Sequence, residues 1–201
     1  MADFWCRNRT CTESPGQSAL LVQSPVESAL DAHAGYKRQP GGSQLESVSC
    51  LSADHCVAVG QYFTSASSAY PLAERWNGAS WVIQATPATP PSIGLDPFAT
   101  PSGFHSVQCT SMQSCMAVGA GGTSQGRGDA IAAHWNGTRW TSIATARESL
   151  PLSELNSLSC SAADSCIAVG DEGSMDQRLL YQPRLLVESW NGRAWVNLPT
   201  P

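Results

Sequence analysis

Short runs in which bulky and small residues alternate recur along the chain and predict β-strands. One such run is Cys-Val-Ala-Val-Gly at 56–60, which returns as Cys-Met-Ala-Val-Gly at 115–119 and as Cys-Ile-Ala-Val-Gly at 166–170. Residues two apart share a face of a strand, so each run has one bulky face and one close-packed face. The repeating units show no helical periodicity. The pattern therefore predicts an all-β protein.

A second recurring pattern, Trp-Asn-Gly-x-x-Trp, predicts a hairpin in each repeat. It occupies 76–81, 135–140 and 190–195 and holds six of the seven tryptophans. Asn-Gly tolerates the positive φ angles that a tight turn requires. A two-residue turn would place Trp81 opposite Glu74, and a four-residue turn would place it opposite Trp76. In both registers the two rings share a face, either as core packing between sheets, which we favour, or as an exposed stacking platform for a sugar.

The two patterns belong to a unit of four predicted strands. Its first strand ends at the first cysteine of a close pair, and its second strand is the Cys-x-Ala-Val-Gly run. Its third strand leads into the first tryptophan, and its fourth begins at the second. The unit recurs about every fifty residues, and four strands in a repeat of that length are typical of a β-propeller blade.

The repeats divide the chain into predicted blades at 44–100, 101–151 and 152–201. Residues 1–43 are either a leader or a degenerate first blade, because Cys6 precedes Gly16 by the same interval that separates Cys50 from Gly60. Three clear units and one degenerate unit match the smallest closed propeller or a part of a larger, incomplete ring. No swapped strand closes the circle, so we expect further blades or a self-association partner.

The combination of Val-Ser-Cys, Cys-Val-Ala-Val-Gly and Trp-Asn-Gly-x-x-Trp resembles the tandem repeats of secreted bacterial proteins of unassigned function. Those repeats are related to the kelch and Asp-box groups of β-propellers. The resemblance covers 44–201 and implies an extracellular propeller scaffold, a fold that hosts both binders and hydrolases. The Ser-x-Asp-x-Gly-x-x-Trp string of the Asp-box is not present in this sequence. Kinship with sialidase-like enzymes is therefore weakly supported.

The cysteines predict disulfides within each repeat. Eight cysteines form four close pairs, which are Cys6 and Cys11, Cys50 and Cys56, Cys109 and Cys115, and Cys160 and Cys166. The repeat makes bonding within each pair the simplest choice. The four histidines recur in no fixed relation to the cysteines, so we expect no metal site and no cofactor. Disulfides indicate an extracellular or cell-surface location, although the first residues lack the pattern of a secretory signal.

Charge and hydropathy exclude several partners. The net charge is −5, only 13% of residues are charged, and the longest basic cluster is Lys37-Arg38. A nucleic acid or an anionic membrane surface would require a basic patch, so neither partner is expected. No apolar run approaches the roughly eighteen residues of a membrane helix, so we expect no membrane insertion.

Two carboxylates hold equivalent places in the repeats. Glu74 and Glu188 lie two residues before the first hairpin tryptophan, where the middle copy has Ala133. Glycoside hydrolysis uses two carboxylates about 5 to 9 Å apart, which these could supply only if both lined a central channel. We favour the interpretation that each glutamate caps the polar side of its hairpin and pairs with Arg75 or Arg193.

The loops between the second and third strands vary most between repeats, and variable loops on a repeating frame commonly carry specificity. The candidate binding residues there are Tyr62, Phe63, Arg127 and Asp129. Arg127-Gly-Asp129 resembles the recognition string of integrin ligands, a match that arises easily by chance. We predict a secreted, non-enzymatic binding module for a glycan or a protein. The alternatives are a glycoside hydrolase of the sialidase type and a structural spacer of a larger surface protein.

Overall fold

The computed structural model describes residues 5–7, 10–12, 42–65, 68–89, 102–122, 128–146, 150–175 and 181–200. These residues form strands and connecting segments, and they include no helix long and apolar enough to cross a membrane. The chain divides into two compact units, Met1–Lys37 and Arg38–Pro201. The prediction of an all-β protein is confirmed for the part of the chain that the structure describes.

The first unit contains a two-stranded ribbon of β1 (Trp5–Arg7) and β2 (Thr10–Thr12), in which Cys6 lies opposite Cys11. Gly16, on which the prediction of a degenerate first blade also rested, lies outside the described residues.

The described residues of the second unit form three four-stranded antiparallel sheets, in each of which the strands lie side by side in chain order. Sheet 1 comprises β3 (Ser43–Ser52), β4 (His55–Ser65), β5 (Ser68–Trp76) and β6 (Trp81–Gln84). Sheet 2 comprises β7 (Gly103–Ser111), β8 (Ser114–Gly122), β9 (Gly128–Trp135) and β10 (Trp140–Ile143). Sheet 3 comprises β11 (Leu152–Ala162), β12 (Ser165–Met175), β13 (Tyr181–Trp190) and β14 (Trp195–Asn197).

One row of side chains crosses each sheet from edge to edge. In sheet 1, Cys50 lies opposite Cys56, Cys56 opposite Trp76, and Trp76 opposite Trp81. Directly opposed residues point to the same face, so disulfide and indoles share it. The four-residue alternative for the hairpin turn is therefore the correct one. The paired indole rings lie 5.7 Å apart in sheet 1 and 5.8 Å apart in sheets 2 and 3.

The turn itself shows why Asn-Gly recurs. The Asn77 side-chain oxygen accepts hydrogen bonds from the backbone N–H groups of Ala79 (3.0 Å) and Ser80 (2.9 Å), and the other two turns repeat this arrangement. Gly78 has a φ of 92°, a conformation that side chains with a Cβ rarely adopt. A Cβ at Gly78 would also contact Asp54, a residue of the disulfide hairpin, at 3.3 Å. The two turns of the sheet thus pack against each other.

Three of the predicted disulfides are present, Cys50–Cys56, Cys109–Cys115 and Cys160–Cys166. Each joins the end of a first strand to the start of a second. The sulfur atoms of Cys6 and Cys11 lie outside the described part of the structure. Three disulfides suggest an oxidising, extracellular environment.

The sheets stack face to face in a fixed order. We call the face with the indoles and the disulfide the tryptophan face, and the opposite one the valine face, after Val57 and Val59 of sheet 1. The tryptophan face of sheet 2, with Trp135 and Trp140, packs on the valine face of sheet 1 in one core cluster. The tryptophan face of sheet 3 packs in the same way on the valine face of sheet 2. The interpretation of the tryptophans as core is confirmed at both of these contacts.

The first strands of neighbouring sheets are also joined by hydrogen bonds. The Ser47 hydroxyl of sheet 1 accepts a bond from the Val107 N–H of sheet 2 (3.2 Å), and the equivalent Ser106 accepts from Leu158 of sheet 3 (3.1 Å). A second serine of sheet 1, Ser49, accepts from Cys109 N–H (3.0 Å). These bonds set the register in which one sheet meets the next.

Candidate functional site

Each first strand contains a β-bulge near its middle. The register shifts between Leu45 and Ser47 in sheet 1, and shifts again at the equivalent places in sheets 2 and 3. At this bulge, one residue of each first strand is left out of the ladder, and these residues are Glu46, His105 and Asn156.

A glycine on the second strand lies opposite each bulge and explains why the bulge forms at that position. Gly60 pairs with Leu45, and a Cβ on Gly60 would lie 1.9 Å from the backbone oxygen of Gln44. Gly119 and Gly170 have the same close approach, at 2.0 and 1.9 Å from a backbone oxygen. Only glycine admits this contact, which accounts for the last residue of the Cys-x-Ala-Val-Gly pattern.

The bulge residues of sheets 2 and 3 meet. His105 Nδ1 lies 3.1 Å from Asn156 Oδ1, across the boundary between sheets 2 and 3. Because an amide oxygen only accepts, this contact requires a proton on Nδ1. Glu46 holds the equivalent position in sheet 1, and Gln61 Nε2 donates a hydrogen bond to Glu46 Oε1 (3.3 Å).

Carboxylates surround Asn156. Its Nδ2 donates to Glu154 Oε1 (3.1 Å) and to Asp171 Oδ1 (3.4 Å). The Tyr181 hydroxyl donates to Asp171 Oδ2 at 2.5 Å. Burial, followed by the hydrogen bond to Asp171 and the nearby carboxylate charges, raises the pKa of Tyr181 above its ordinary value.

We call the five residues that these hydrogen bonds link the bulge cluster: His105, Glu154, Asn156, Asp171 and Tyr181. They combine two carboxylates with an amide, an imidazole and a phenol, and so offer both donors and acceptors to a polar ligand. Their hydrogen bonds to one another hold the side chains of sheets 2 and 3 in place. Across the described ranges, no group of three or more His, Cys, Asp or Glu residues could hold a metal ion.

The predicted binding residues lie mostly in strands. Tyr62 belongs to β4 and stacks on Tyr70 of β5 with ring centroids 5.4 Å apart, and Phe63 follows it in the same strand. Asp129 belongs to β9 and is exposed. Arg127 lies outside the described residues. The second and third strands are thus longer than the sequence pattern predicted, and these side chains occupy strand ends instead of loops.

The favoured interpretation of Glu74 and Glu188 as caps on the polar side of their hairpins is wrong. Both lie on tryptophan faces, where Glu74 is only 7% exposed and Glu188 is fully buried. Glu188 Oε2 accepts a hydrogen bond from the Ala146 N–H (2.9 Å), which follows the last strand of sheet 2. Burial raises the pKa of Glu74 above its ordinary value. Glu188 therefore belongs to the interface between sheets 2 and 3, and Glu74 is a buried carboxyl of sheet 1.

The bulge cluster was missed, although the sequence carries a signal for it. Leu45, Val48 and Cys50 all belong to one face of β3, yet Leu45 and Val48 are three residues apart where strict alternation requires an even interval. An odd interval between two residues of one face indicates a bulge. The residue that varies most at that place in the three repeats is the bulged one.

Comparison with known proteins identifies no family for this chain. No family model matches this chain, and no curated protein matches it.

Proposed function

We propose that the chain is a secreted repeat scaffold of the β-propeller type that binds a glycan at the bulge cluster without converting it. The observation that most directly supports this proposal is the contact between His105 and Asn156, which joins equivalent bulge residues of two neighbouring sheets. Regular stacking of the sheets, with their first strands adjacent, supports a propeller arrangement in which these strands are innermost. The repeat motifs, through their resemblance to secreted bacterial repeat proteins, support the same class.

Sugar recognition fits the chemistry of the cluster. Carboxylate and amide groups form paired hydrogen bonds with vicinal hydroxyls, and both are present around Asn156 in fixed orientation. The stacked pair Tyr62 and Tyr70 offers an aromatic surface at the end of sheet 1 where the second strand joins the third. A protein ligand is the other outcome that the binding experiment distinguishes.

A binding screen tests this proposal. Wild-type protein and the variants Asn156→Ala and Asp171→Ala are applied to an immobilised glycan panel, and hits are measured by calorimetry. We expect a wild-type signal that falls at least tenfold in both variants, because each removes charge-assisted or amide hydrogen bonds. Arg193→Ala, at the exposed turn between β13 and β14, is the matched control and should bind like wild type. Absence of glycan binding, or binding unaffected by both variants, would overturn the proposal.

Glycoside hydrolysis is the second candidate, because one amide nitrogen of Asn156 contacts both Glu154 and Asp171. Two carboxylates so close could serve as acid and nucleophile. Release of nitrophenol from aryl glycosides measures this directly. Steady turnover in the wild type that disappears in both Glu154→Gln and Asp171→Asn would establish a hydrolase and replace the binding proposal.

A further inference from the structure

The valine face of sheet 3 carries an exposed apolar surface. Ile167, Val169 and Leu185 all belong to it and are 42%, 43% and 61% exposed. The equivalent faces of sheets 1 and 2 are buried under the tryptophan face of the next sheet, where residues such as Val59 and Val118 have no exposed surface. An exposed apolar face of this kind marks an interaction surface.

At the other end of the stack, apolar residues on the first strand of sheet 1 are exposed on its tryptophan face. On the tryptophan face of sheet 1, Leu45 is 46% and Val48 is 59% exposed. At the same positions in sheet 2, Phe104 and Val107 are 1% and 4% exposed, because sheet 1 covers them. Along its first strand, this face therefore resembles part of an internal interface without its partner. Leu72 and Glu74, in the third strand of the same face, are buried (2% and 7% exposed).

Serines at the edge of the stack add polar complementarity. Ser157 and Ser159 of β11 occupy the positions of Ser47 and Ser49 in β3, and both are exposed. In sheet 1 those two hydroxyls accept hydrogen bonds from the next sheet. By the same register, the partners of Ser157 and Ser159 would be the N–H groups of Val48 and Cys50.

We propose that the chain binds a second copy of itself head to tail, with the valine face of sheet 3 packed along the first strand of sheet 1 of that copy, where Leu45 and Val48 are exposed on the tryptophan face. The argument is continuity: the same two kinds of face already meet twice inside the chain, in one register, through apolar packing and serine hydroxyls. Two valine faces meeting each other would leave the serine acceptors without their N–H partners. The contact is therefore heterologous, joining different surfaces of the two copies.

Molecular mass measured by light scattering against concentration tests the association. We expect wild-type protein at twice the monomer mass or more, and monomers for Leu185→Asp and for Val48→Asp, since each places a charge in one half of the contact. Val169→Asp is a second variant of the valine face, should Leu185→Asp not fold by circular dichroism. Met112→Asp changes an exposed apolar residue of a disulfide hairpin, outside both halves, and should associate like wild type.

Mixing the two monomeric variants separates head-to-tail contact from other modes. Leu185→Asp retains an intact tryptophan face and Val48→Asp retains an intact valine face, so an equimolar mixture should form a heterodimer. The double change Ser157→Ala and Ser159→Ala should weaken the wild-type association about fivefold for each serine, whereas Ser142→Ala should not.

Three results would overturn the proposal. The first is a monomeric wild type at high concentration. The second is association that persists in Val48→Asp while Leu185→Asp abolishes it, which would mean that valine faces pair with each other. The third is a variant mixture that stays monomeric although wild type associates.

Discussion

At the scale of single residues, Glu188 shows how one buried carboxylate joins two sheets. Its oxygen accepts the Ala146 N–H at the end of sheet 2. At the interface between sheets 1 and 2, both residues of this hydrogen bond are replaced. Ala133 occupies the position of Glu188, and Pro87 occupies the position of Ala146. Proline has no N–H to donate, so a buried carboxylate there would have no such partner. The two positions therefore vary together for a physical reason.

Removing this acceptor should cost stability. For Glu188→Ala we expect the free energy of unfolding to fall by about 1.5–3 kcal/mol, since a hydrogen bond to a carboxylate is lost and the Ala146 N–H stays buried. Urea unfolding followed by tryptophan fluorescence measures it. Glu188→Gln is the control, because its amide oxygen still accepts, and it should lose less. Equal losses in both variants would contradict the assigned role.

The buried carboxyl of Glu74 should make the free energy of unfolding depend on pH. Burial raises the pKa of its carboxyl in the folded state above the ordinary value of 4.5, so the folded chain holds the proton to a higher pH than the unfolded chain. The contribution of Glu74 to stability therefore falls as pH rises from that value through the folded pKa. We expect Glu74→Gln to exceed wild type in unfolding free energy by a margin that grows as pH rises above about 4.5. A margin independent of pH in urea titrations would show this assignment to be wrong.

The indole N–H of Trp195 lacks the hydrogen bond that its counterpart in sheet 2, Trp140, makes, because one residue in the neighbouring sheet differs. The Trp140 indole N–H donates to Gln84 Oε1 (2.9 Å) of sheet 1. Ile143 occupies the equivalent place in sheet 2, and Trp195 Nε1 is buried without a hydrogen-bond partner. One apolar residue at a fourth-strand position thus leaves a buried donor unsatisfied.

At the scale of elements, the disulfide hairpins repeat in sequence but differ in burial. Cys109 and Cys115 are 5% and 2% exposed, because sheet 1 covers them, whereas Cys50 is exposed. Each bond closes a short loop and stabilises its hairpin by about 2 kcal/mol on the loop-entropy model. Reduction by a thiol also requires access to sulfur.

The order in which the three disulfides are reduced should therefore follow how exposed their sulfur atoms are. With sub-denaturing reductant and an alkylating reagent, we expect label first at Cys50 and Cys56 and last at Cys109 and Cys115, as mapped by peptide mass spectrometry. In urea that unfolds the chain, the order should disappear. Simultaneous labelling of all three pairs in the folded protein would contradict it.

At the scale of the whole molecule, sheet 2 lies between two others and is covered on both faces. Its second strand, β8, is buried along nearly its whole length. Sheet 3 is covered on its tryptophan face, while much of its valine face is exposed. Because local opening depends on buried contacts, stability should be greatest in the middle of the stack.

Hydrogen exchange measures that gradient. We expect the amides of β8 to exchange most slowly, and those of β12, its equivalent in sheet 3, at least tenfold faster through sub-global opening. Both strands are second strands with a neighbour on each side, so the comparison isolates the covering of the faces. Equal protection of the two strands would mean that the stack unfolds as one unit.

The sequence by itself determined the local structure of each repeat. Asn77 and Gly78 specify the turn through an acceptor side chain and a positive φ, and the close pair Cys50 and Cys56 specifies the clamp. The alternation around Val57 and Val59 specifies the strand and its two faces. These features depend on contacts between neighbours in the chain, which short patterns record.

Only the tertiary structure decided which side chains meet across the sheets. His105 and Asn156 are far apart in sequence, and they meet because serine hydroxyls set the register of one sheet on the next. The same stacking buries Glu188 and leaves Leu185 exposed, although both belong to one strand. Burial of a face depends on what covers it, and alternation within a strand carries no record of the covering surface.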